Sequence, residues 1–139
     1  MRGQRGQAPA IEAAVIIPGL VLLVGLVVVL AQVSLARQEL RAVAGSAARA
    51  AALERTPAAG ERAAGDIVEA GLESERLRCL RHSSAMDMAG LAAPLGVEAE
   101  VRVTLRCELS LRDVTLPFVP GGVELTAEGF SPVDRYRAR

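Results

Sequence analysis

The most prominent feature of the hydrophobicity pattern is an unbroken apolar run near the N-terminus. Residues 13–36 contain no Asp, Glu, Lys or Arg, and their only strongly polar side chains are Gln32 and Ser34. A helix of these 24 residues would be about 36 Å long, whereas the hydrocarbon core of a bilayer is roughly 30 Å thick. The run therefore predicts one helix that spans a membrane.

Two other interpretations of this run are weaker. The apolar region of a signal peptide has about 7–15 residues and is followed by a small-residue cleavage site, whereas this run is longer and continues into helix-forming sequence. A buried helix of a soluble protein would have to be covered by the rest of the chain. That remainder contains only three aromatic residues, so it offers little bulk for such a core.

Helical periodicity continues beyond the apolar run. Ala8 to about Arg55 is predicted as one helix, whose second half carries a narrow stripe of mostly small apolar side chains at helical spacing: Leu40, Val43, Ala47 and Ala51. The sequence TPAAG, residues 56–60, is interpreted as a break because it contains proline and glycine. ERAAGDIVEAGLESE, which follows it, is predicted as a second, shorter helix.

The remaining pattern is typical of strands. Residues 97–107 alternate between apolar and polar side chains, as expected for a half-buried antiparallel strand, and GVELTAEGF at residues 122–130 repeats the pattern. RLRCLRHS, residues 76–83, is ambiguous between a helix end and a first strand. The fold class is therefore α+β: a long N-terminal transmembrane helix that extends into a small domain with a short helix and a three-stranded antiparallel sheet. The expected divisions are a short basic head, the transmembrane helix, its extension and the small domain, at residues 1–7, 8–36, 37–55 and 56–139.

Charge and cysteine content narrow the class of protein. Sixteen basic and sixteen acidic residues give a net charge of zero, so nothing indicates a nucleic-acid partner. Cys79 and Cys107 both follow the apolar run, and in an exported domain they would form a disulfide. On the chain-entropy model a loop of about 29 residues closed in this way adds roughly 3.5 kcal/mol of stability. The alternative is two buried thiols in a reducing compartment.

The sequence offers no set of residues for catalysis. His82 is the only histidine, and the two cysteines lack zinc-site spacing. There is no glycine-rich phosphate loop and no nucleophile elbow. We therefore expect no enzyme activity, metal or cofactor, and a small membrane-bound hydrolase is the weakest of the alternatives.

One charged residue stands at the start of the apolar run. Glu12 is followed six residues later by Pro18, and a carboxylate at the edge of a bilayer core is costly unless it has a partner. The segment EAAVIIP resembles the N-terminal segment of the TadE-like proteins, which are minor pilins or pseudopilins of the tight-adherence (Flp-type) pilus system. The alanine- and arginine-rich sequence ARAAALER after the helix resembles the same family, and so, more loosely, does the ending SPVDRYR.

This resemblance implies a pilin-like fold and a role for each matching position. A prepilin peptidase cuts type IV pilins after a glycine, and the glutamate lies five residues beyond the cut. Counting back from Glu12 places the cut between Gln7 and Ala8, whereas a cut after Gly6 leaves Glu12 as the sixth residue. The resemblance implies that Glu12 pairs with the N-terminal amine of a neighbouring subunit and that Pro18 kinks the membrane helix.

The resemblance also implies partners and a location. The expected partners are the membrane, pilin-class subunits, the pilus assembly platform and the prepilin peptidase. The chain would cross the plasma membrane once, with a cytoplasmic N-terminus and an extracytoplasmic domain. The arginine counts alone favour the opposite orientation, because two precede the run and three follow it within residues 37–49. The alternative function is a generic single-span membrane protein whose outer domain binds a partner.

Overall fold

The computed structural model describes residues 7–73, 77, 79–110, 122–134 and 136, with only the helical backbone described for residues 7–13. The elements are, in chain order, α1 (Gln7–Ala52), α2 (Pro57–Leu72), β1 (Cys79–Asp87), a short 3-10 helix (Ala89–Ala92), β2 (Ala99–Ser110) and β3 (Gly122–Val133). The three strands form one antiparallel sheet with β2 in the centre. The predicted α+β layout is confirmed.

Contacts divide the chain into two units, with the boundary between Val33 and Ser34. The second unit contains the last part of α1 together with α2 and the sheet. Within it, one side of α1 is buried at intervals of three and four residues, which is the spacing of a single helix face. The buried side chains of this face are Ala36, Leu40, Val43, Ala44, Ala47, Ala48 and Ala51. The stripe predicted from Leu40 to Ala51 is therefore confirmed.

The second helix begins earlier than the sequence pattern indicated. TPAAG was interpreted as a break, but Thr56 is the N-cap of α2 and Pro57 is its first residue. The Thr56 hydroxyl accepts a hydrogen bond from the backbone N–H of Ala59 at 3.2 Å. Proline is well suited to the first position of a helix because the N–H it lacks would have no partner there. The break is thus confined to the residues between Ala52 and Thr56.

Small residues let α2 pack closely against its neighbours. Gly60, Ala64 and Val68 are its buried residues. A Cβ atom added at Gly71 would lie 2.6 Å from Cγ2 of Val43, so α1 and α2 approach one another where a side chain is missing. Ile67 of the same helix is 37% exposed.

The sheet buries one face and exposes the other. In β2 and β3 the alternation predicted from the sequence is observed, with buried residues facing the helices at every second position. These residues are Val101, Val103, Leu105, Cys107 and Leu109 in β2 and Leu125, Ala127, Gly129, Ser131 and Val133 in β3. The ambiguous segment around Cys79 is a strand, β1, and most of its residues are exposed on both faces.

The helix α1 and the sheet approach one another closely at Gly129. A Cβ atom added there would overlap the carbonyl group of Ala44 and lie 2.5 Å from the backbone nitrogen of Gly45. Glycine inside a strand often marks such a site, because only the absence of a side chain lets another backbone come so near. The sheet therefore packs directly on the backbone of α1 at this point.

Candidate functional site

The apolar part of α1 is exposed in the structure. Val15, Leu22 and Leu30 expose 73%, 68% and 60% of their surface, and the other large apolar side chains between them behave similarly. The helix is long and apolar enough to cross a membrane, and none of its apolar window is buried. A contiguous exposed apolar surface of this length marks a contact with lipid or protein. The segment is therefore a candidate membrane span near the N-terminus.

The exposure of α1 changes along its length. Leu35 is 64% exposed, whereas Leu40, little more than one turn later, is completely buried in the second unit. Both residues belong to the same uninterrupted helix. Most large apolar side chains of α1 up to Leu35 are thus exposed, whereas the face that begins at Ala36 is part of the core of the second unit.

Pro18 lies inside α1, and the helix continues on both sides of it. Proline has no N–H, so residue 18 cannot donate the usual helical hydrogen bond to the carbonyl oxygen of Ala14. Membrane helices tolerate such a residue when the freed carbonyl finds another partner. The kink expected at Pro18 remains a prediction.

The residues assigned to processing and assembly lie at the edge of the described chain. Gly6 lies outside the described residues. Gln7, Ala8 and Glu12 lie in the first turns of α1, where only the backbone is described. Their predicted roles in cleavage and in pairing with a neighbouring subunit therefore remain predictions.

The two cysteines are close enough to form a disulfide. Cys79 of β1 and Cys107 of β2 are bonded, with their Cα atoms 5.3 Å apart. The register shifts by one residue between Cys79 and Arg81, so Cys79 lies opposite Leu109. The bond joins the exposed edge strand β1 to the central strand β2. Cys107, its partner in β2, is completely buried.

The outer face of the sheet carries both signs of charge. Arg81 and Glu108 form an ion pair at 3.0 Å across β1 and β2, and Arg102 and Glu100 form another at 2.8 Å. The hydrogen bond from Arg102 to Glu100 raises the pKa of the Arg102 guanidinium, with further contributions from Glu128 and other carboxylates. Exposed pairs of this kind contribute little to stability. This mixed face does not resemble the basic surface of a nucleic-acid-binding protein.

The described part of the chain shows no group of three or more His, Cys, Asp or Glu residues that could hold a metal ion. His82 lies in β1 and is exposed. The expectation that the protein has no enzyme activity remains a prediction.

Sequence reasoning missed two features of this unit. The edge strand β1 was not identified because most of its residues are exposed on both faces, so its sequence does not alternate between apolar and polar side chains. The contact at Gly129 escaped it because a glycine in a strand does not reveal which backbone it meets.

Comparison with known proteins gives one match. Residues 6–55 match a family described as putative Flp pilus-assembly TadE/G-like. No curated protein and no solved structure matches the chain. The matched segment contains all of α1, both its exposed apolar part and its buried continuation, and it ends before α2. The predicted resemblance is thus confirmed over this segment: residues 6–55 are similar to the TadE/G-like family.

Proposed function

We propose that this protein is a membrane-anchored pilin-like component, or pseudopilin, of Flp-type (tight-adherence) type IV pilus assembly or secretion. The main support for the proposal is that the family match and the exposed apolar surface lie on the same helix, α1. The family match falls on the helix whose apolar side chains are exposed and uncharged for about the thickness of a bilayer. The proposed role is structural and requires no catalytic step, cofactor or metal. Its partners are other pilin-class subunits, the assembly platform and the prepilin peptidase.

The proposed orientation places the N-terminus in the cytoplasm and the second unit outside the plasma membrane. The Cys79–Cys107 bond supports it, because structural disulfides persist in oxidising compartments and are rare in the cytosol. A membrane-impermeant thiol reagent applied to intact cells after reduction should therefore label these cysteines. Labelling that occurs only when the reagent reaches the cytoplasmic side would contradict this orientation.

The proposed mechanism assigns Glu12 to assembly. After cleavage between Gly6 and Ala8, the new N-terminal amine of one subunit would meet the Glu12 carboxylate of its neighbour. The low dielectric of the membrane strengthens such a pair, and either charge alone would be expensive there. Glu12 would then contribute to the contact between subunits. It would not help a single chain to insert, because a charged side chain makes insertion more costly.

Three variants test this assignment at matched expression. Glu12→Ala should insert normally but lose most co-purification with pilin-class partners and most assembled pili. Glu12→Asp should be intermediate, because it keeps the charge and loses reach. Glu39→Ala is the control, since it removes a carboxylate from the same helix beyond the apolar run. If Glu12→Ala assembles as well as wild type and Glu39→Ala, the proposed pairing is wrong.

A generic single-span protein with a partner-binding outer domain is the alternative. N-terminal sequencing of the membrane-extracted protein separates the two functions, because a generic anchor has no reason to lose its first residues. Loss of the residues before Gln7 or Ala8 supports the pilin-like function. An intact N-terminus, together with normal assembly of Glu12→Ala, favours the alternative.

A further inference from the structure

We propose that Arg37 and Arg41 of α1 bind the phosphate group of an anionic phospholipid at the membrane surface. The proposal rests on the membrane span of the proposed function, but it depends neither on pilus assembly nor on which side of the membrane carries the N-terminus. The apolar run ends at Ala36, immediately before the first of these arginines. With a rise of about 1.5 Å per residue, their Cα atoms lie about 1.5 and 7.5 Å beyond the run along the helix axis. The polar headgroup region extends roughly 5–8 Å beyond each side of the hydrocarbon core, so both arginines fall at its level.

Both guanidinium groups are available to a ligand. Arg37 and Arg41 are exposed, and within the part of the chain that the structure describes neither forms an ion pair or a side-chain hydrogen bond. Glu39, the nearest carboxylate along the helix, lies two residues from each of them. Two residues of a helix correspond to a rotation of about 200°, so Glu39 projects to nearly the opposite side. The charge of the arginine pair is therefore not neutralised by its own helix.

The two arginines project from one side of α1. Four residues advance a helix by about 6 Å and rotate it by about 40°, so Arg37 and Arg41 are neighbours on the helix surface. Helical side chains also lean towards the N-terminus of their helix, which in α1 is the direction of the apolar run. Long arginine side chains can lay their apolar stems along an apolar surface while the guanidinium reaches polar groups. Both guanidinium groups can therefore approach one lipid phosphate.

The chemistry of the pair favours an anionic phospholipid over a zwitterionic one. A guanidinium group binds phosphate oxygens through two parallel N–H···O bonds, which gives arginine an advantage over lysine. A phosphatidylcholine headgroup carries its own cation beside the phosphate, so it brings no net charge to balance two guanidinium groups. A phosphatidylglycerol headgroup carries the phosphate without a cation. It therefore leaves less uncompensated charge at the site.

Tryptophan quenching by brominated lipids tests this site in the full chain. The sequence contains no tryptophan, so a single Ser34→Trp substitution reports the lipid at that position. Ser34 is exposed and lies three and seven residues before the two arginines, on their side of the helix. The protein is reconstituted in vesicles of equal parts phosphatidylcholine and phosphatidylglycerol, with bromine on the acyl chains of one lipid or the other. Stronger quenching by brominated phosphatidylglycerol measures the preference for the anionic lipid.

Substitution of the arginines should remove this preference. We expect phosphatidylglycerol to be preferred at least about fivefold next to Ser34→Trp, which corresponds to the roughly 1 kcal/mol that one arginine contributes near an anionic surface. Joint Arg37→Gln and Arg41→Gln substitution should lower the preference below about twofold, because both charges are lost. Joint substitution by lysine should retain most of it, since the charges remain. Arg49→Gln is the matched control, because it removes an exposed arginine eight residues further along the same helix. It should leave the preference unchanged.

A second tryptophan position distinguishes a local site from a general effect of surface charge. Leu35 is adjacent to Ser34 and is also exposed, but it lies about 160° around the helix from Arg37 and about 120° from Arg41. The preference next to Leu35→Trp should be less than half of that next to Ser34→Trp, and it should respond little to the glutamine pair. Equal preferences at the two positions, or an equal loss at both, overturn the site.

The same data distinguish failure of this site from failure of the membrane span. If neither brominated lipid quenches Ser34→Trp or Leu35→Trp, the membrane span is wrong and so is this site. If both lipids quench Ser34→Trp equally, the span remains supported and this site alone is wrong. Sodium phosphate should weaken the preference no more than sodium chloride of the same ionic strength. A larger effect of phosphate would assign the arginines to a free phosphate ion and overturn the choice of a lipid.

Discussion

Replacing Gly129 with alanine tests the direct packing of β3 on the backbone of α1. The added Cβ would lie 2.5 Å from the backbone nitrogen of Gly45, whereas real Cβ atoms essentially never come closer than 3.0 Å to another heavy atom. Helix and strand must therefore separate by at least 0.5 Å. Both groups are backbone, so no flexible side chain can move aside, and the shift must be shared by the elements that form the core.

Overpacking of this kind typically costs about 1–3 kcal/mol, and we expect Gly129→Ala to fall at the upper end of that range. For a domain of this size the melting temperature would fall by roughly 4–8 °C per kcal/mol. Gly65→Ala is the control, because a Cβ there has nothing within 4 Å. That change should be neutral or stabilising by up to about 1 kcal/mol, since alanine is a better helix former than glycine.

The measurement is urea unfolding of the full chain in detergent, followed by a short protease pulse that digests only the unfolded domain. Gly129→Ala should move the midpoint to lower urea, with little change in the slope of the transition. Glycine-to-alanine substitution also stiffens the unfolded chain, which acts in the opposite direction, and the Gly65→Ala control includes this effect. If the Gly129→Ala midpoint lies within error of wild type, the close approach of β3 to Ala44 and Gly45 is wrong.

Two further predictions concern the core and the disulfide. Leu40→Ala should destabilise the second unit by about 2–5 kcal/mol in the same unfolding assay, whereas Leu35→Ala, on the same helix but 64% exposed, should leave its midpoint unchanged. Equal effects of the two substitutions would contradict the assigned face of α1. Reduction of the Cys79–Cys107 bond should lower stability by roughly 3.5 kcal/mol. Replacing both cysteines with alanine should abolish the response to reductant, and a response that persists would contradict the assignment of the bond.

The sequence predicted those elements whose hydrophobicity pattern reflects one uniform environment on each face. The apolar run was recognised as a candidate membrane span from its length and composition alone, without any packing partner. β2 alternates cleanly because one face packs on the helices and the other meets water. Its pattern from Val97 to Cys107 therefore identified the central strand and, with β3, the antiparallel sheet.

The elements that the sequence left open depend on less regular surroundings. β1 has exposed residues on both faces, so its sequence carries no period that would distinguish a strand from a helix end. The start of α2 was misplaced because Thr56 and Pro57 occur equally in turns and in helix caps, and only the hydrogen bond to Ala59 distinguishes the two. The predicted assembly role of Glu12 depends on a second subunit, which one chain does not contain.

The alanine-rich face of α1 also determines which mutations the second unit can accept. Four alanines of this face are completely buried: Ala44, Ala47, Ala48 and Ala51. Truncating such a side chain removes little volume, whereas enlarging it adds atoms to a site that is already enclosed. Of the amino acids that a single-base change of an alanine codon can produce, only glycine is smaller than alanine, so most accessible changes at these positions add bulk. Selection on this helix should therefore act mainly against enlargement. In a saturation library, glycine and serine should survive on the buried face more often than valine or leucine, the reverse of the order expected for a core of large aliphatic side chains.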